Sequence, residues 1–291
     1  MILSAQNEPM SSRFGMEKGI KMLKDAGFDA FDASLIRDTI GNEIFINSDN
    51  WRENAVKLRE YADSIGILCN QAHAPFPSST GDTLRDEEIY ADIVRAMEVA
   101  SILGAKIIIV HPKKHLHYHD HIKELREMNI SFYKSLIPYC KKFGIKVAIE
   151  NMWCKELSSN NIIESTCSRC DTFCDYIDAI NSEWIVACLD IGHVPLVGES
   201  LTNIIHALGD RLKALHVHDN EFISDMHTLP FISNIDFKKV CRALGEINYS
   251  GDFTYEIDAF FRKIPDALVA SALNFAHDTG RYLINTILEN K

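Results

Sequence analysis

Residues 140–151 read CKKFGIKVAIEN, and this stretch contains one complete structural unit of the chain. The end of a helical pattern runs into Gly144, a short apolar run follows, and Glu150 closes that run. Glycine at a helix C-cap followed by a buried strand is typical of the connection from helix to strand in α/β proteins. The same order recurs in LKDAGFDAF (23–31), YADSIGILC (61–69) and ASILGAKIIIV (100–110).

Working outward from this unit, eight short apolar runs alternate with longer helical patterns. The predicted strands are Ile2–Ala5, Ala30–Ala33, Leu68–Ala72, Lys106–Val110, Lys146–Ile149, Val186–Leu189, Leu212–Val217 and Thr254–Ile257. The predicted helices include Trp51–Ile65, Asp86–Leu103, Ile122–Phe143 and Asp266–Leu288. Eight strand–helix repeats favour a closed (β/α)₈ TIM barrel over an open doubly wound sheet. No Pro/Ser-rich linker divides the chain, so we predict one α/β barrel domain over residues 1–291.

Composition narrows the possible functions. The formal net charge of −11 opposes a polyanionic partner, so nucleic acid is an unfavoured substrate. No G-x-G-x-x-G or Walker loop occurs, so we expect no nucleotide cofactor. No apolar run is long enough to cross a membrane, and the N-terminus lacks a signal-peptide pattern. Eight scattered cysteines suit free thiols in a reducing cytoplasm, where we expect the protein to be located.

Metal-capable side chains stand where six consecutive predicted strands end. In a barrel of this kind the active site lies at the C-terminal ends of the strands. Charged residues that close apolar strands are costly to bury unless they are paired or bind a metal. The pattern therefore predicts a divalent metal site. The residues in question are His73, His111, Glu150, Asp190, His193, His216, His218, Asp219 and Glu256.

The tract HPKKHLHYHDH (111–121) holds five of the twelve histidines, but only His111 ends a strand. The other four, His115, His117, His119 and His121, follow Pro112 in a loop or at the start of a helix. We interpret them as a solvated polar loop, with a substrate lid as the alternative. Lys113 and Lys114 also suit a solvated loop, with contact to a substrate phosphate as the alternative.

The cysteines permit another kind of metal site. Cys167, Cys170 and Cys174 form a C-x₂-C-x₃-C pattern, which with Cys154 could bind zinc or an iron–sulfur cluster. Cys170 and Cys174 lie one helical turn apart, so ordinary packing on a helix explains them equally simply.

The motifs HAP, VHP, AIEN, LDIGH, HVHDN and YEI, in this order at the strand ends, resemble the xylose isomerase-like barrel superfamily. That superfamily includes sugar isomerases and epimerases, inosose dehydratases and endonuclease IV. The resemblance to the epimerases implies a metal held by Glu150, Asp190, His218 and Glu256. It implies that His216 contacts the metal ligands without binding the metal, or packs within its strand. It also implies substrate contacts at His193 and Glu156.

The resemblance implies a metal-dependent isomerase or epimerase of a small carbohydrate: a sugar, sugar phosphate or inosose. Bound Mn²⁺, Mg²⁺, Co²⁺ or Zn²⁺ would stabilise the charge formed as a carbon-bound proton leaves, with Glu150 and Glu256 as base and acid. Ser224 replaces the substrate-binding arginine of the ketohexose epimerases, which argues against that identity. The residues expected around the substrate are His73, His111, Trp153, Glu156 and His193, with Phe76, Trp153 and Phe231 as stacking candidates.

Endonuclease IV supplies the alternative function, a metal-dependent phosphodiesterase acting on abasic DNA. Asp225 and His227 form a D-x-H pair like that of the endonuclease, and His73 and His111 also match its ligands. A second or third metal would use these four residues. The loop ENMWCK departs from the endonuclease pattern, and the acidic charge opposes DNA. A third possibility is a metal-binding barrel that has lost its catalysis, or a non-enzymatic protein that binds a partner. A homo-oligomeric assembly also stays open.

Overall fold

Eight parallel strands form a ring at the centre of the molecule. The computed structural model describes residues 1–35, 48–156 and 158–291. The strands run in the order β8-β1-β2-β3-β4-β5-β6-β7, each hydrogen-bonded to the next. They are β1 (Leu3–Gln6), β2 (Ala30–Ser34), β3 (Leu68–His73), β4 (Ile107–Ile109), β5 (Lys146–Glu150), β6 (Ile185–Asp190), β7 (Leu212–His216) and β8 (Phe253–Tyr255).

The ring closes just beyond β7. A parallel bridge joins Val217 to Tyr255. The Val217 N–H donates to the carbonyl of Thr254 at 2.9 Å, and the Glu256 N–H donates to the carbonyl of Val217 at 3.2 Å. The predicted (β/α)₈ barrel is therefore confirmed, and the predicted strand bounds lie within two residues of those observed.

Helices surround the barrel and follow the strands. They are α1 (Glu8–Phe14), α2 (Met16–Asp25), α3 (Trp51–Ile65), α4 (Thr83–Leu103), α5 (Ile122–Phe143), α6 (Cys170–Ile180), α7 (His193–Leu196), α8 (Leu201–Leu208), α9 (Phe237–Glu246), α10 (Asp258–Arg262) and α11 (Val269–Glu289). A 3₁₀ turn, Asp266–Leu268, precedes α11, so this helix begins three residues later than predicted. An antiparallel hairpin after β5, formed by Trp153–Lys155 and Ile162–Glu164, was not predicted.

Glycine ends helix α5 as the sequence indicates. Gly144 adopts φ 65°, in the left-handed region, and its N–H donates to the carbonyl of Cys140. A residue with a Cβ atom adopts this conformation less readily, so glycine gives a sharp stop before β5. None of the helices in the described residues is both long and apolar enough to span a membrane.

The barrel interior changes from apolar to polar along its axis. A separate cluster of small and medium side chains fills its middle: Ile109, Ala148, Val186, Cys188 and Ala214. The larger hydrophobic core lies between the strands and the helices. Because successive strand residues point to opposite faces, the same strands supply both cores. The C-terminal ends of the strands are left to carry the polar side chains described next.

Candidate metal centre

Three groups of potential metal ligands meet at the C-terminal mouth of the barrel, among the residues that the structure describes. Within each group one ligand atom per residue lies within 4.8 Å of the others. The central cluster consists of Glu150, Asp190, His216 and Glu256. The β3–β4 cluster consists of His73, His111 and Glu150. The β6–β7 cluster consists of His193, His218, Asp225 and His227.

The central cluster is built from four neighbouring strand ends. Glu150, Asp190 and His216 are the last residues of β5, β6 and β7, and Glu256 directly follows β8. His216 Nδ1 lies 2.9 Å from Glu256 Oε2 and 3.3 Å from Glu150 Oε1. Parallel register places His216 directly opposite Asp190. Barrel geometry therefore assembles the cluster from backbone positions rather than from long flexible side chains.

The two histidines of the HVH motif occupy different places, and this differs from the sequence-based expectation. His216 joins Glu150, Asp190 and Glu256 in the central cluster, where His218 was expected. His218 Nε2 instead lies 3.0 Å from Asp190 Oδ1 at the edge of that cluster, and its ring stacks on His227 at 4.2 Å. A Cβ atom at Gly192 would lie 1.9 Å from His218 Cε1, so this ring position requires glycine there.

A buried carboxylate that the sequence analysis did not single out lies behind His216. Asp32 Oδ2 lies 3.6 Å from His216 Nε2 and accepts a hydrogen bond from Gln71 Nε2 at 3.0 Å. Both ring nitrogens of His216 are buried and face carboxylates, Nδ1 those of Glu150 and Glu256 and Nε2 that of Asp32. Metal-binding histidines commonly direct their second nitrogen at a carboxylate. The available signal for Asp32 was an acidic residue inside the apolar run AFDAS of β2.

The β3–β4 cluster shares Glu150 with the central cluster. His111 Nε2 lies 2.9 Å from Glu150 Oε2 and 3.0 Å from His73 Nε2. Burial lowers the pKa of His111, although Glu150 opposes this effect. A neutral imidazole is the form that binds metals. Glu150 thus presents one oxygen to each of two groups of histidines.

Asp225 is the centre of the β6–β7 cluster. It lies between His193 Nε2 at 3.2 Å and His227 Nε2 at 3.1 Å. Trp153 Nε1 donates to the same carboxylate at 3.1 Å. Burial disfavours the charged imidazoles, but Asp190 and Asp225 together raise the pKa of His193 to about 10. Against the same effect of burial, Glu256 and Asp225 raise the pKa of His227 to about 9.

In the described residues, the carboxylates at the mouth of the barrel pair with imidazoles rather than with lysine or arginine. Five carboxylates lie here: Asp32, Glu150, Asp190, Asp225 and Glu256. In the described ranges no lysine or arginine forms an ion pair with any of them. Burial opposes ionisation of Glu150, yet His216 and His111 hold its pKa well below the usual range. Buried carboxylates without such compensation are costly, and carboxylate with imidazole is a donor set that suits a divalent cation.

The clusters line a cavity of about 180 Å³. Its wall includes His73, Phe76, His111, Lys114, Glu150, Met152, Trp153, His193, Asp225, His227 and Glu256. Trp153, His193, His111 and His73, which were expected at the substrate, therefore lie on this wall, as does Phe76. This volume is below the roughly 300 Å³ of the smallest typical drug-sized pocket, so it suits a small ligand.

Two residues expected at the substrate do not line the cavity. Glu156 lies on the hairpin side, with its Oε1 3.7 Å from His117 Nε2. Phe231 contacts Phe237 and Tyr282, with its ring centre 5.8 Å and 5.9 Å from theirs. A direct substrate contact by Glu156 stays a prediction, and the cavity gives it no support. The suggested stacking of Phe231 on the substrate conflicts with these contacts.

None of the three clusters includes a cysteine or any of the four later histidines of the tract, which are His115, His117, His119 and His121. His115 contacts Ser79, while His117 and His121 pair with Asp120 and Glu124, three residues along the chain. The cysteines are free, and the Cys174 thiol donates to the carbonyl of Ala207.

The sequence as a whole matches a family model described as "Xylose isomerase-like TIM barrel", over residues 20–276. Among curated proteins, y4fM of Sinorhizobium fredii is 22% identical over 166 residues, which are 55% of this chain and 50% of that protein. MJ1311 of Methanocaldococcus jannaschii is 27% identical over 196 residues, 63% of this chain and 62% of that protein. The aligned part thus spans less than two thirds of either relative.

Solved structures share the fold at low sequence identity. A D-tagatose 3-epimerase-like protein gives a TM-score of 0.73 at 20% identity, covering 99% of this chain and 100% of its own. D-Psicose 3-epimerase of Clostridium cellulolyticum H10, solved with D-tagatose, gives 0.75 at 15% identity, covering 98% and 99%. The IOLI protein with a bound zinc atom gives 0.73 at 16% identity, covering 100% and 99%. At such identities the likeness establishes the barrel fold alone.

Proposed function

The chain belongs to the xylose isomerase-like TIM barrel family, and from this premise we propose that it is a divalent-metal-dependent isomerase or epimerase of a small carbohydrate. The observation that carries the proposal is the central cluster, in which two glutamates contact one buried histidine at the mouth of a small cavity. The structural neighbours include proteins named as sugar epimerases, which supports the same class of reaction.

Four residues of the central cluster would hold the metal: Glu150, Asp190, His216 and Glu256. We propose His216 as the ligand in place of His218, because its Nδ1 faces both glutamates while Asp32 lies behind its Nε2. A bound Mn²⁺, Mg²⁺, Co²⁺ or Zn²⁺ would stabilise negative charge on the oxygens of a sugar carbonyl and its neighbouring hydroxyl. The β3–β4 and β6–β7 clusters could take a second or third ion.

Glu150 and Glu256 are proposed to move the protons. Burial opposes ionisation of Glu256, but His216 and His227 hold its pKa below the usual range, so both glutamates are ionised near neutral pH. One carboxylate removes the proton from the carbon next to the carbonyl. The other takes up a proton from solvent and delivers it to the opposite face of that carbon, which inverts its configuration, while the first carboxylate releases its proton to solvent. Return to the adjacent carbon instead would isomerise the sugar.

Proton exchange in D₂O tests this function. Incubation with the correct sugar should place deuterium on the carbon next to the carbonyl. Glu150→Gln or Glu256→Gln should reduce exchange by about 100-fold or more, since an amide cannot replace a general base that typically contributes 10²–10⁴-fold. Metal content must be measured in each variant, because a lost metal would imitate a lost base. No exchange across ketoses, aldoses and inososes would reject the proposal.

A phosphodiesterase of the endonuclease IV type is the second candidate. The observation in its favour is the pair of clusters that flank the central one, each with ligands for a further metal. The net charge of −11 weighs against it, because tracking a phosphate backbone requires cations on the surface. Metal-dependent cleavage of abasic DNA, combined with a sugar screen that gives no exchange, would decide for this function.

A further inference from the structure

The cavity wall carries a lysine side chain, that of Lys114, which the proposed proton transfers do not use. Lys114 is the only lysine or arginine among the described residues that line the cavity. Its side chain reaches solvent at the mouth, and its ammonium lies 3.2 Å from the carbonyl oxygen of Trp153. The same ammonium lies 5.9 Å from the centre of the Trp153 ring. No carboxylate in the described part of the chain forms an ion pair with it, so hydrogen-bond donors stay free for a ligand.

The backbone around Lys114 is fixed in place. The Ser78 hydroxyl donates to the carbonyl of His111 at 2.6 Å. Asn129, a buried residue of α5, accepts from the Lys113 N–H at 2.7 Å and donates to the Lys113 carbonyl at 2.9 Å. These bonds hold the three residues before Lys114 against the barrel. The direction of the Lys114 side chain therefore follows from the anchored backbone.

The neighbouring lysine points elsewhere. The ammonium of Lys113 lies 5.1 Å from the centre of the Phe132 ring, and Lys113 lines an open groove with Asp86 and Tyr90. Adjacent residues of an extended segment project to opposite sides, which explains the divergence. Lys113 is thus a natural control for Lys114: it has the same charge and the next position, but a different environment.

We propose that Lys114 binds an anionic group, a phosphate or a carboxylate, on the carbohydrate substrate. A neutral sugar needs no ammonium at the mouth, whereas an anion that lay deeper in the cavity would lie beside the carboxylates of Glu150 and Glu256. With the anion held at the mouth, the reacting carbons point inward to the two glutamates. Trp153, beneath the ammonium, offers an apolar face to the sugar carbons. This inference rests on the proposed function and specifies its substrate class.

Binding to the metal-loaded protein provides the test. Calorimetry would compare a ketohexose, its terminal phosphate ester and the corresponding hexuronate on the wild type, Lys114→Gln and Lys113→Gln. A lost charge-assisted hydrogen bond should weaken binding of one or both anions by about tenfold or more in Lys114→Gln. The neutral sugar should bind all three proteins alike, and Lys113→Gln should behave as the wild type. The anion that loses more affinity identifies the group.

Two outcomes would overturn the assignment: a wild type with no preference for either anion, or equal weakening of neutral and charged sugars in Lys114→Gln. Failure of the proposed function can be distinguished from failure of the anion site. If no sugar exchanges deuterium but anion binding depends on Lys114, the anion site stands and the isomerase does not. If neutral sugars exchange at the wild-type rate in Lys114→Gln and no anion preference exists, the isomerase stands and the anion site does not.

Discussion

Two loops at the barrel mouth are rich in histidine, and they behave in opposite ways. The β4 loop (residues 110–121) carries five histidines, of which only His111 enters a cluster. The β7 loop (residues 217–236) carries two, His218 and His227, and both enter the β6–β7 cluster together with Asp225. The number of histidines in a segment therefore says little about metal binding.

The path of each loop explains the contrast. In the β7 loop the buried Asp219 carboxylate accepts hydrogen bonds from the N–H groups of Asn220, Ser233 and Ile235. The Asp219 N–H also donates to the carbonyl of Thr228 at 2.8 Å. These bonds turn the loop back over the mouth. They therefore bring the residues between Asn220 and Thr228 toward the barrel axis.

The β4 loop instead leaves the cavity wall after Lys114 and leads into helix α5. Two of its histidines pair with carboxylates three residues along the chain, as His117 does with Asp120 at 2.9 Å. Ion pairs near the surface typically contribute less than about 1 kcal/mol. A histidine becomes a potential ligand here when the backbone returns it to the strand ends.

The largest effect is expected from Asp190→Ala. This substitution removes the carboxylate that belongs to the central cluster and also contacts His218 of the β7 loop. Loss of a group that merely supports a ligand typically costs about 10- to 100-fold in metal affinity, so loss of a ligand should cost more. Elemental analysis after dialysis measures the effect. Asp120→Ala removes the matching carboxylate of the β4 loop and should leave the metal content unchanged.

A smaller effect on metal affinity is expected from substitution of His216 or His218 at the end of β7, and it distinguishes between these two possible ligands. His216→Gln should lower metal affinity strongly, because Nδ1 of this ring faces Glu150 and Glu256. His218→Gln should leave the central metal in place and affect only an ion in the β6–β7 cluster. Titration of the metal-free variants with Mn²⁺ separates the two sites. A reversal, with His218 as the sensitive residue, would restore the ligand set implied by sequence resemblance.

The fold was predictable because its signals are local and repeated. Gly144 after a helical pattern and Glu150 after an apolar run are visible in one short stretch, and seven similar units confirm the period. The hairpin at Trp153–Lys155 was not predictable in this way, because its strands are three residues long and half exposed. It has neither the length nor the alternation that marks a strand in sequence.

The sequence indicated which residues lie at the candidate site, but only partly which of them cluster together. Strand ends identified Glu150, Asp190, Glu256 and both histidines of the HVH motif. The choice between His216 and His218 depends on the register that pairs His216 with Asp190. The sequence of a single strand does not determine its register with a neighbour. Asp32 was missed because one acidic residue in an apolar strand resembles an ordinary exposed position until the barrel closes around it.

The smallest effect is expected from the β4 loop itself. Changing His115, His117, His119 and His121 together to Gln removes four imidazoles but none that belongs to the three clusters. Their contacts with Ser79, Asp120 and Glu124 lie outside the three clusters, so the metal stoichiometry should equal that of the wild type. His111→Gln, a single change in the same loop, should lower activity or remove an ion from the β3–β4 cluster. A contrary result would be loss of the central metal in the fourfold variant while His111→Gln kept every ion. The path of the loop would then not explain which histidines bind metal.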